Sequence, residues 1–195
     1  RDSDRPDMRF DLELKDITNF FKETEFKVFK QVIEANGIIK ALKVEKSSLS
    51  RKEIDELTVF AQENGAKGLA WIKVNEDGLQ SPIIKFFSDN ELNNIKKEMN
   101  LDIGDIMFFG AGPEEEVNKY LSAVRLKLGK DLNLIRNGEF KFVWITDFPL
   151  FIKEGKHLNS VHHPFTMPKD EINDTNISSV RSCAYDIVLN GIELG

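Results

Sequence analysis

Two short stretches near the C-terminal end of this sequence hold most of its candidate chemistry. The run Tyr185-Asp186-Ile187-Val188-Leu189-Asn190-Gly191-Ile192-Glu193-Leu194-Gly195 reads as an apolar strand with one carboxylate on each side of an asparagine-glycine break. Upstream, His162-His163-Pro164-Phe165-Thr166 supplies the neutral and cationic hydrogen-bonding groups that carboxylates lack. Asp186 and Glu193 offer the oxygen donors that Mg2+ takes from carboxylates while it bridges substrate phosphates. Together the stretches suggest a sheet-floored pocket for a small charged substrate and a phosphorylated cofactor. The two carboxylates are seven positions apart, however, and in a regular strand an odd spacing sends side chains to opposite faces. They share a site only if an extra residue or a twist intervenes, and a β-bulge is cheapest at Asn190-Gly191. Without such a device Asp186 is a strand-edge charge and Glu193 a solvated one.

The adjacent histidines also point to opposite faces of an extended backbone, so at most one of them faces a given pocket. Taken alone, they are an ordinary structural pair ahead of a proline. His157 raises a zinc site, against which stand the lack of a nearby cysteine and a spacing unlike that of His-rich sites. Cys183 is the one cysteine; it excludes an internal disulfide framework, fits a reducing cytoplasm and reads as packed rather than reactive. Gly110-Ala111-Gly112 lacks the third glycine of a dinucleotide loop, and Glu114, Glu115 and Glu116 would repel phosphate there. No nucleophile elbow or P-loop is present.

The elements that must hold these residues follow from composition and periodicity. Of 195 residues, 41% are hydrophobic and 31% charged, an ordinary globular balance, and the 15 phenylalanines give ample core volume. No apolar run approaches the roughly 20 residues of a membrane helix. No secretory signal is present, and Arg1 reads as an internal cut or a processed end. A net charge of -6 argues against a general nucleic-acid coat. Two local basic clusters, Lys40, Lys43, Lys46, Arg51 and Lys52, and then Arg125, Lys127 and Lys130, read as solvated helix ends or strand edges.

Residues 1–11 form a charged linker interrupted by Pro6. Strands are expected at 25–32 and 37–44, joined by a turn at Asn36-Gly37. Ser50 and Glu53 have capping-box spacing ahead of a helix striped by Ile54, Leu57, Phe60 and Ala61 and stopped at Asn64-Gly65. A strand at 68–74 and a turn at Asp77-Gly78 follow. Ser88 and Glu91 repeat the capping box before a helix lined by Leu92, Ile95 and Met99. Residues 105–109 read as a short buried strand. Gly112-Pro113 opens a third helix, striped by Val117, Tyr120, Leu121, Val124 and Leu128 and ended by Gly129. The expected class is α+β: residues 12–130 make a two-layer α/β sandwich, a mixed sheet with helices on one face. Residues 131–195 supply strands at 140–145 and 150–152, a turn at Lys153-Glu154-Gly155-Lys156, a polar loop at 170–179 and the terminal strand. These have too few packing partners for a core of their own and read as part of a larger antiparallel sheet whose other strands lie outside the chain.

His162 to Thr166, followed by Pro168-Lys169-Asp170 and then by Tyr185 to Gly191 with Glu193, resembles bacterial-type aspartyl-tRNA synthetases. Trp144-Ile145-Thr146-Asp147-Phe148-Pro149 is similar to the strand that precedes them in that family. Gly65-Ala66-Lys67-Gly68-Leu69-Ala70-Trp71-Ile72-Lys73-Val74, Phe108-Phe109-Gly110-Ala111 and Leu126-Lys127-Leu128-Gly129-Lys130 resemble its bacterial insertion module, the GAD domain. Ser3-Asp4-Arg5-Pro6-Asp7 resembles the lead-in to that module.

The resemblance implies that residues 12–130 are the inserted domain and 131–195 are strands of the class II synthetase antiparallel sheet. It implies ATP-dependent activation of L-aspartate to aspartyl-adenylate, then transfer to the 3′ end of tRNA-Asp, with tRNA-Asn as a further acceptor in some members. By position, His162 would touch the bound aspartate and His163 would support the same wall. Glu193 would face ATP and, with Asp186, hold Mg2+. The parent would be a cytoplasmic homodimer. Asp2 stands where the family usually has Gly, and motifs 1, 2 and 3, the anticodon-binding barrel and the arginine beyond Gly195 are absent from the 195 residues. The isolated sequence is therefore expected to make no adenylate. A reading from another class is an RNA-binding module: the GAD domain as a contact for the tRNA acceptor arm, as in a subunit of tRNA-dependent amidotransferases. His162 to Thr166 and Tyr185 to Glu193 discriminate, because a pure binding module has no need of them.

Overall fold

Near-continuous apolar runs at 38–44 and 106–112 are what strands look like when both faces are covered, and both segments sit in the middle of a sheet. The computed structural model describes residues 6–154 and 157–195; the linker at residues 1–5 and the tip of the expected turn at Gly155-Lys156 lie outside the described residues. Its described residues divide into two compact units, Phe10–Ile135 in the first, and 6–9 together with Arg136–Gly195 in the second.

The first unit runs β1 (Leu14–Asp16), α1 (Lys27–Glu34), β2 (Ile38–Val44), α2 (Arg51–Glu63), β3 (Ala70–Asn75), β4 (Gly78–Gln80), α3 (Asp89–Glu98), β5 (Ile106–Gly112) and α4 (Glu114–Asp131). Its sheet has the order β1-β2-β5-β3-β4, and every pair is antiparallel. Alternation then sorts the side chains. Leu42, Val44, Trp71, Ile106 and Phe108 pack under α2 and α4 against Ile54, Leu57, Val117, Leu121 and Val124. Ile39, Ala41, Ile72, Met107 and Phe109 pack on the other side against Phe29 of α1 and Ile95 of α3. The α+β class stands, with two corrections: the sheet is antiparallel rather than mixed, and helices cover both faces, giving three layers rather than two. Two segments cause the second difference, α3 by packing Ile95 on the face opposite α2 and α4, and α1. Residues 25–32 read as a strand, but Lys27–Glu34 form α1, which directs Phe29 inward with Val32 and Ile33 packed beside it and joins α3 in the second helical layer.

Local signals were strong where side chains cap the backbone. Ser50 and Ser88 accept from the amides of Glu53 and Glu91, whose carboxylates accept in return, so both capping boxes form. Gly129 does not end its helix. It lies inside α4 with Phe10 against it; a Cβ there would sit 2.7 Å from the Phe10 ring. The helix stops two residues after it, where Asn133 turns left-handed (φ 52°) and the Leu134 amide donates to the Gly129 carbonyl. Two members of the basic clusters are not solvated either. Lys40 is buried and donates to Asn118 Oδ1 at 2.7 Å. Arg125 is buried, donates to the carbonyls of Leu12 (2.7 Å) and Phe10 (3.1 Å), and lies 4.2 Å over the Phe10 ring.

The second unit holds β6 (Phe142–Ile145), a hairpin of β7 (Phe151–Glu154) and β8 (His157–Ser160), then β9 (Asp186–Leu189) and β10 (Ile192–Glu193). The order β10-β9-β6 is antiparallel, and its small core is Ile145, Phe148 and Val188. Among the described residues no helix is long and apolar enough to cross a membrane.

Candidate functional site

The asparagine-glycine break is a chain reversal. Asn190 and Gly191 both take positive φ (52° and 83°), and Leu189 pairs with Ile192 across them, the geometry of a two-residue hairpin turn whose twist matches its strands. Asn190 also ties the turn to the start of β6: its Nδ2 donates to the Glu139 carbonyl, and its Oδ1 accepts from the Lys141 amide, both at 2.9 Å. The single strand with a bulge expected from the sequence is thus two strands.

This reversal settles where the carboxylates lie. Glu193 pairs with Val188, and directly paired residues share a sheet face. Asp186 is two residues from Val188 on β9, so it shares that face too. The odd spacing therefore joins Asp186 and Glu193 instead of separating them, with Cα atoms about 7–8 Å apart along the sheet diagonal. Asp186 is half-buried and Glu193 exposed. Among the described residues no group of three His, Cys, Asp or Glu side chains converges as a metal cage. Two carboxylates suit Mg2+, which commonly takes one or two from protein and the rest of its shell from water and phosphate.

Val188 and Ile145 on this face carry Phe148, and Phe148 carries His162, whose ring meets it edge-on (5.4 Å between centroids, 77°). The Nε2 atom of His162 is buried and has no hydrogen-bond partner among the described residues. A buried polar atom left unpaired in a folded chain marks a place where a further group belongs. His163 has other neighbours: it is exposed, its Nδ1 accepts from the Phe165 amide at 3.4 Å, and its ring lies by Phe165. His162, Asp186 and Glu193 thus lie on one side of the sheet. His163 is not brought against Phe148 with His162. His157 lies exposed on β8.

What fixes Phe148 was invisible in the sequence. Ser182, fully buried, donates to the Phe148 carbonyl through both its amide (2.8 Å) and its hydroxyl (3.3 Å). Asp147 just before it takes a left-handed backbone (φ 62°), a conformation uncommon for a non-glycine residue and worth attention beside a candidate site. Its carboxylate accepts from Lys169 Nζ and from Thr146 Oγ1, and its carbonyl accepts from Arg181 at 3.4 Å. The Lys169 hydrogen bond, helped by Thr146 and by the lysine's charge, holds the Asp147 carboxyl below its ordinary range; the same bond raises Lys169. Cys183 is half-buried, its amide donating to the Met167 carbonyl. These contacts span 22 and 34 residues of sequence, and no local spacing announces them.

The opposite face is apolar and open: Phe142, Trp144, Tyr185, Ile192 and Leu194 are all more than half exposed. Trp144 and Tyr185 meet edge-to-face across it. An exposed apolar patch of this kind is normally covered by something.

Residues 29–121, within the antiparallel sheet sandwiched by helices, match the GAD domain family model. The chain's relatives narrow this. It is 48% identical over 210 residues to the aspartate--tRNA(Asp/Asn) ligase of Aquifex aeolicus, covering 99% of this chain and 35% of that protein. It is 46% identical over 200 residues to the aspartate--tRNA ligase of Shouchella clausii, and 48% identical over 200 residues to that of Halalkalibacterium halodurans, covering 99% of this chain and 34% of each. The sequence thus corresponds along essentially its whole length to a segment of aspartate--tRNA ligases, and it spans about a third of the length of the curated relatives it matches.

Proposed function

We propose that this chain is the part of an aspartate--tRNA ligase that joins the inserted domain, residues 12–130, to one wall of the adenylate-forming site, residues 131–195. The reaction is attack by the L-aspartate carboxylate on the α-phosphate of ATP, release of pyrophosphate, and transfer of the aspartyl group to the 3′ end of tRNA-Asp, or also tRNA-Asn. The observation that carries this reading is the Asn190-Gly191 hairpin, which sets Asp186 and Glu193 on one face beside the Phe148–His162 stack.

In this reading Glu193, the exposed carboxylate, faces ATP, and with Asp186 it holds Mg2+. The ion, when bound, offsets the charge that builds on the phosphates and the departing pyrophosphate. His162 presents its unpartnered Nε2 to the substrate aspartate and keeps its ring angle through Phe148. His163 is assigned to support the same wall. None of these residues forms a covalent bond to substrate; their work is positioning and charge stabilisation. The apolar face behind them, with Phe142 and Trp144, belongs against further strands or helices of the longer protein. The parent is a cytoplasmic homodimer.

The test is aspartate-dependent exchange of pyrophosphate into ATP by the full-length gene product that contains this segment, alongside the 195 residues alone. Exchange by the full-length protein with aspartate and silence from the short chain are expected. Exchange driven by a different amino acid, or full exchange by the short chain, overturns the reading.

A further inference from the structure

The loop that carries His162 is fastened at both ends, and the two fastenings differ in kind. At its entry the Val161 amide donates to the Leu150 carbonyl at 3.1 Å, two residues beyond Phe148, and Ser160 Oγ donates to the His162 carbonyl at 2.7 Å. At its exit the backbone meets residues 180–183. The Lys169 amide donates to the Arg181 carbonyl and the Cys183 amide to the Met167 carbonyl, each at 2.8 Å. The same four residues bond the Phe148 strand, Ser182 donating to the Phe148 carbonyl and Val180 accepting from the Leu150 amide. Residues 180–183 therefore join the backbone beneath the His162 ring to the point where the loop ends.

Between these ends little apolar burial holds the loop, since Phe165 and Met167 are 92% and 65% exposed. A side-chain bond runs from the loop's exit to the residue before Phe148: Lys169 Nζ donates to the Asp147 carboxylate. Asp147 is held for that contact from three sides. Its backbone is left-handed (φ 62°), Thr146 Oγ1 donates to its carboxylate at 3.1 Å, and its carbonyl accepts from Arg181 at 3.4 Å. The carboxyl lies below its ordinary range and Lys169 above its own, so both partners are charged at neutral pH.

We propose that Lys169 is a positioning residue: by pairing with Asp147 it closes the loop toward Phe148 and keeps His162 Nε2 aimed at the substrate aspartate. The inference rests on the reading of His162 given above and deepens it; Lys169 itself touches no substrate. An ion pair this exposed adds little to folding, and segments with few buried apolar contacts open locally at small cost. Losing the pair therefore lowers the share of molecules whose loop is closed, and the apparent affinity for aspartate falls with that share. An exposed pair moves such a balance by about 5-fold at most.

The experiment is pyrophosphate exchange by the full-length gene product that contains this segment, with KM measured separately for aspartate and for ATP. Lys169→Met is expected to raise KM for aspartate by about 3- to 5-fold. KM for ATP stays as it was, because Asp186 and Glu193 lie on β9 and β10, outside the loop. Lys169→Arg restores a cation and stays near the wild type, whereas a defect in folding would lower kcat or move both KM values. His162→Ala raises KM for aspartate, and adding Lys169→Met to it raises KM no further, because the pair acts through that ring. If His162→Ala leaves KM for aspartate unchanged, the reading of His162 fails and this inference fails with it. If His162→Ala raises it, three results overturn the role of Lys169 alone. They are no rise in Lys169→Met, an equal rise with and without the His162 ring, or a rise in KM for ATP as large as that for aspartate.

Discussion

Removing the guanidinium of Arg125 tests how the first unit is closed. Residues 10–12 lie along α4 and are fastened there by one buried side chain, which donates to the carbonyls of Phe10 and Leu12 and lies over the Phe10 ring. A hydrogen bond from a charged donor contributes about 1.5–3 kcal/mol, and a cation over a ring about 0.5–2 kcal/mol. Arg125→Ala also leaves two carbonyls poorly paired and a void beside Phe10. The loss should be about 3–5 kcal/mol, a large part of the 5–15 kcal/mol typical of a domain. Arg125→Met keeps the apolar bulk and should lose less, about 2–4 kcal/mol, the share belonging to the hydrogen bonds and the cation. The assay is urea unfolding followed by tryptophan emission in a Trp144→Phe background, where Trp71, buried in the same core cluster as Phe10, reports on this unit alone. A loss below about 1 kcal/mol for Arg125→Ala would show that the fastening is incidental.

Gly129→Ala should destabilise the same unit by about 1–3 kcal/mol despite alanine's higher helix propensity, because the new methyl meets the Phe10 ring; the Trp71 assay reads it. Gly191→Val should cost about 1–2 kcal/mol, since a branched side chain resists the left-handed backbone of the turn, and unfolding followed at Trp144 detects it. The Asp147–Lys169 pair gives a pH signature. A lowered carboxyl stabilises the folded state above its ordinary value of about 4 and loses that effect as pH falls through the folded value; a raised lysine stabilises below about 10.4 and loses it as pH rises. Thermal melting of the second unit should therefore show a plateau between these limits, and Lys169→Met should lower the plateau while leaving melting unchanged once the solution is acid enough to protonate the folded carboxyl.

Much of this architecture was legible before any coordinates, for a physical reason: it rests on local chemistry. Ser50 with Glu53 and Ser88 with Glu91 close their capping boxes within four residues, and the stripes of α2, α3 and α4 repeat at helical spacing. What failed had a nonlocal cause. Phe26, Phe29 and Ile33 sit in a short segment whose helical state is fixed by the aromatic cluster beneath it, so α1 was missed, and no local signal told which sheet face α3 would cover. Gly129 looked like a helix stop because its real partner, Phe10, is distant in sequence. At the candidate site, residue types were readable and their arrangement was not. Asp186 and Glu193 drew attention as carboxylates, but strand parity alone set them apart, and only pairing Glu193 with Val188 restored them to one face. Ser182, Lys169 and Arg181, which hold the backbone around Phe148, carry no spacing signal at all.

The central claim is that one sheet face carries both carboxylates to a single nucleotide. Its most direct test is aspartate-dependent pyrophosphate exchange by the full-length gene product carrying Asp186→Asn or Glu193→Gln, with exchange measured across a range of Mg2+ concentrations. A shared site predicts that each substitution cuts exchange by about 100-fold or more, that the Mg2+ requirement rises in both, and that the double variant is scarcely worse than the single ones. Unchanged exchange in either variant, or losses that multiply as though the two side chains acted apart, would contradict it.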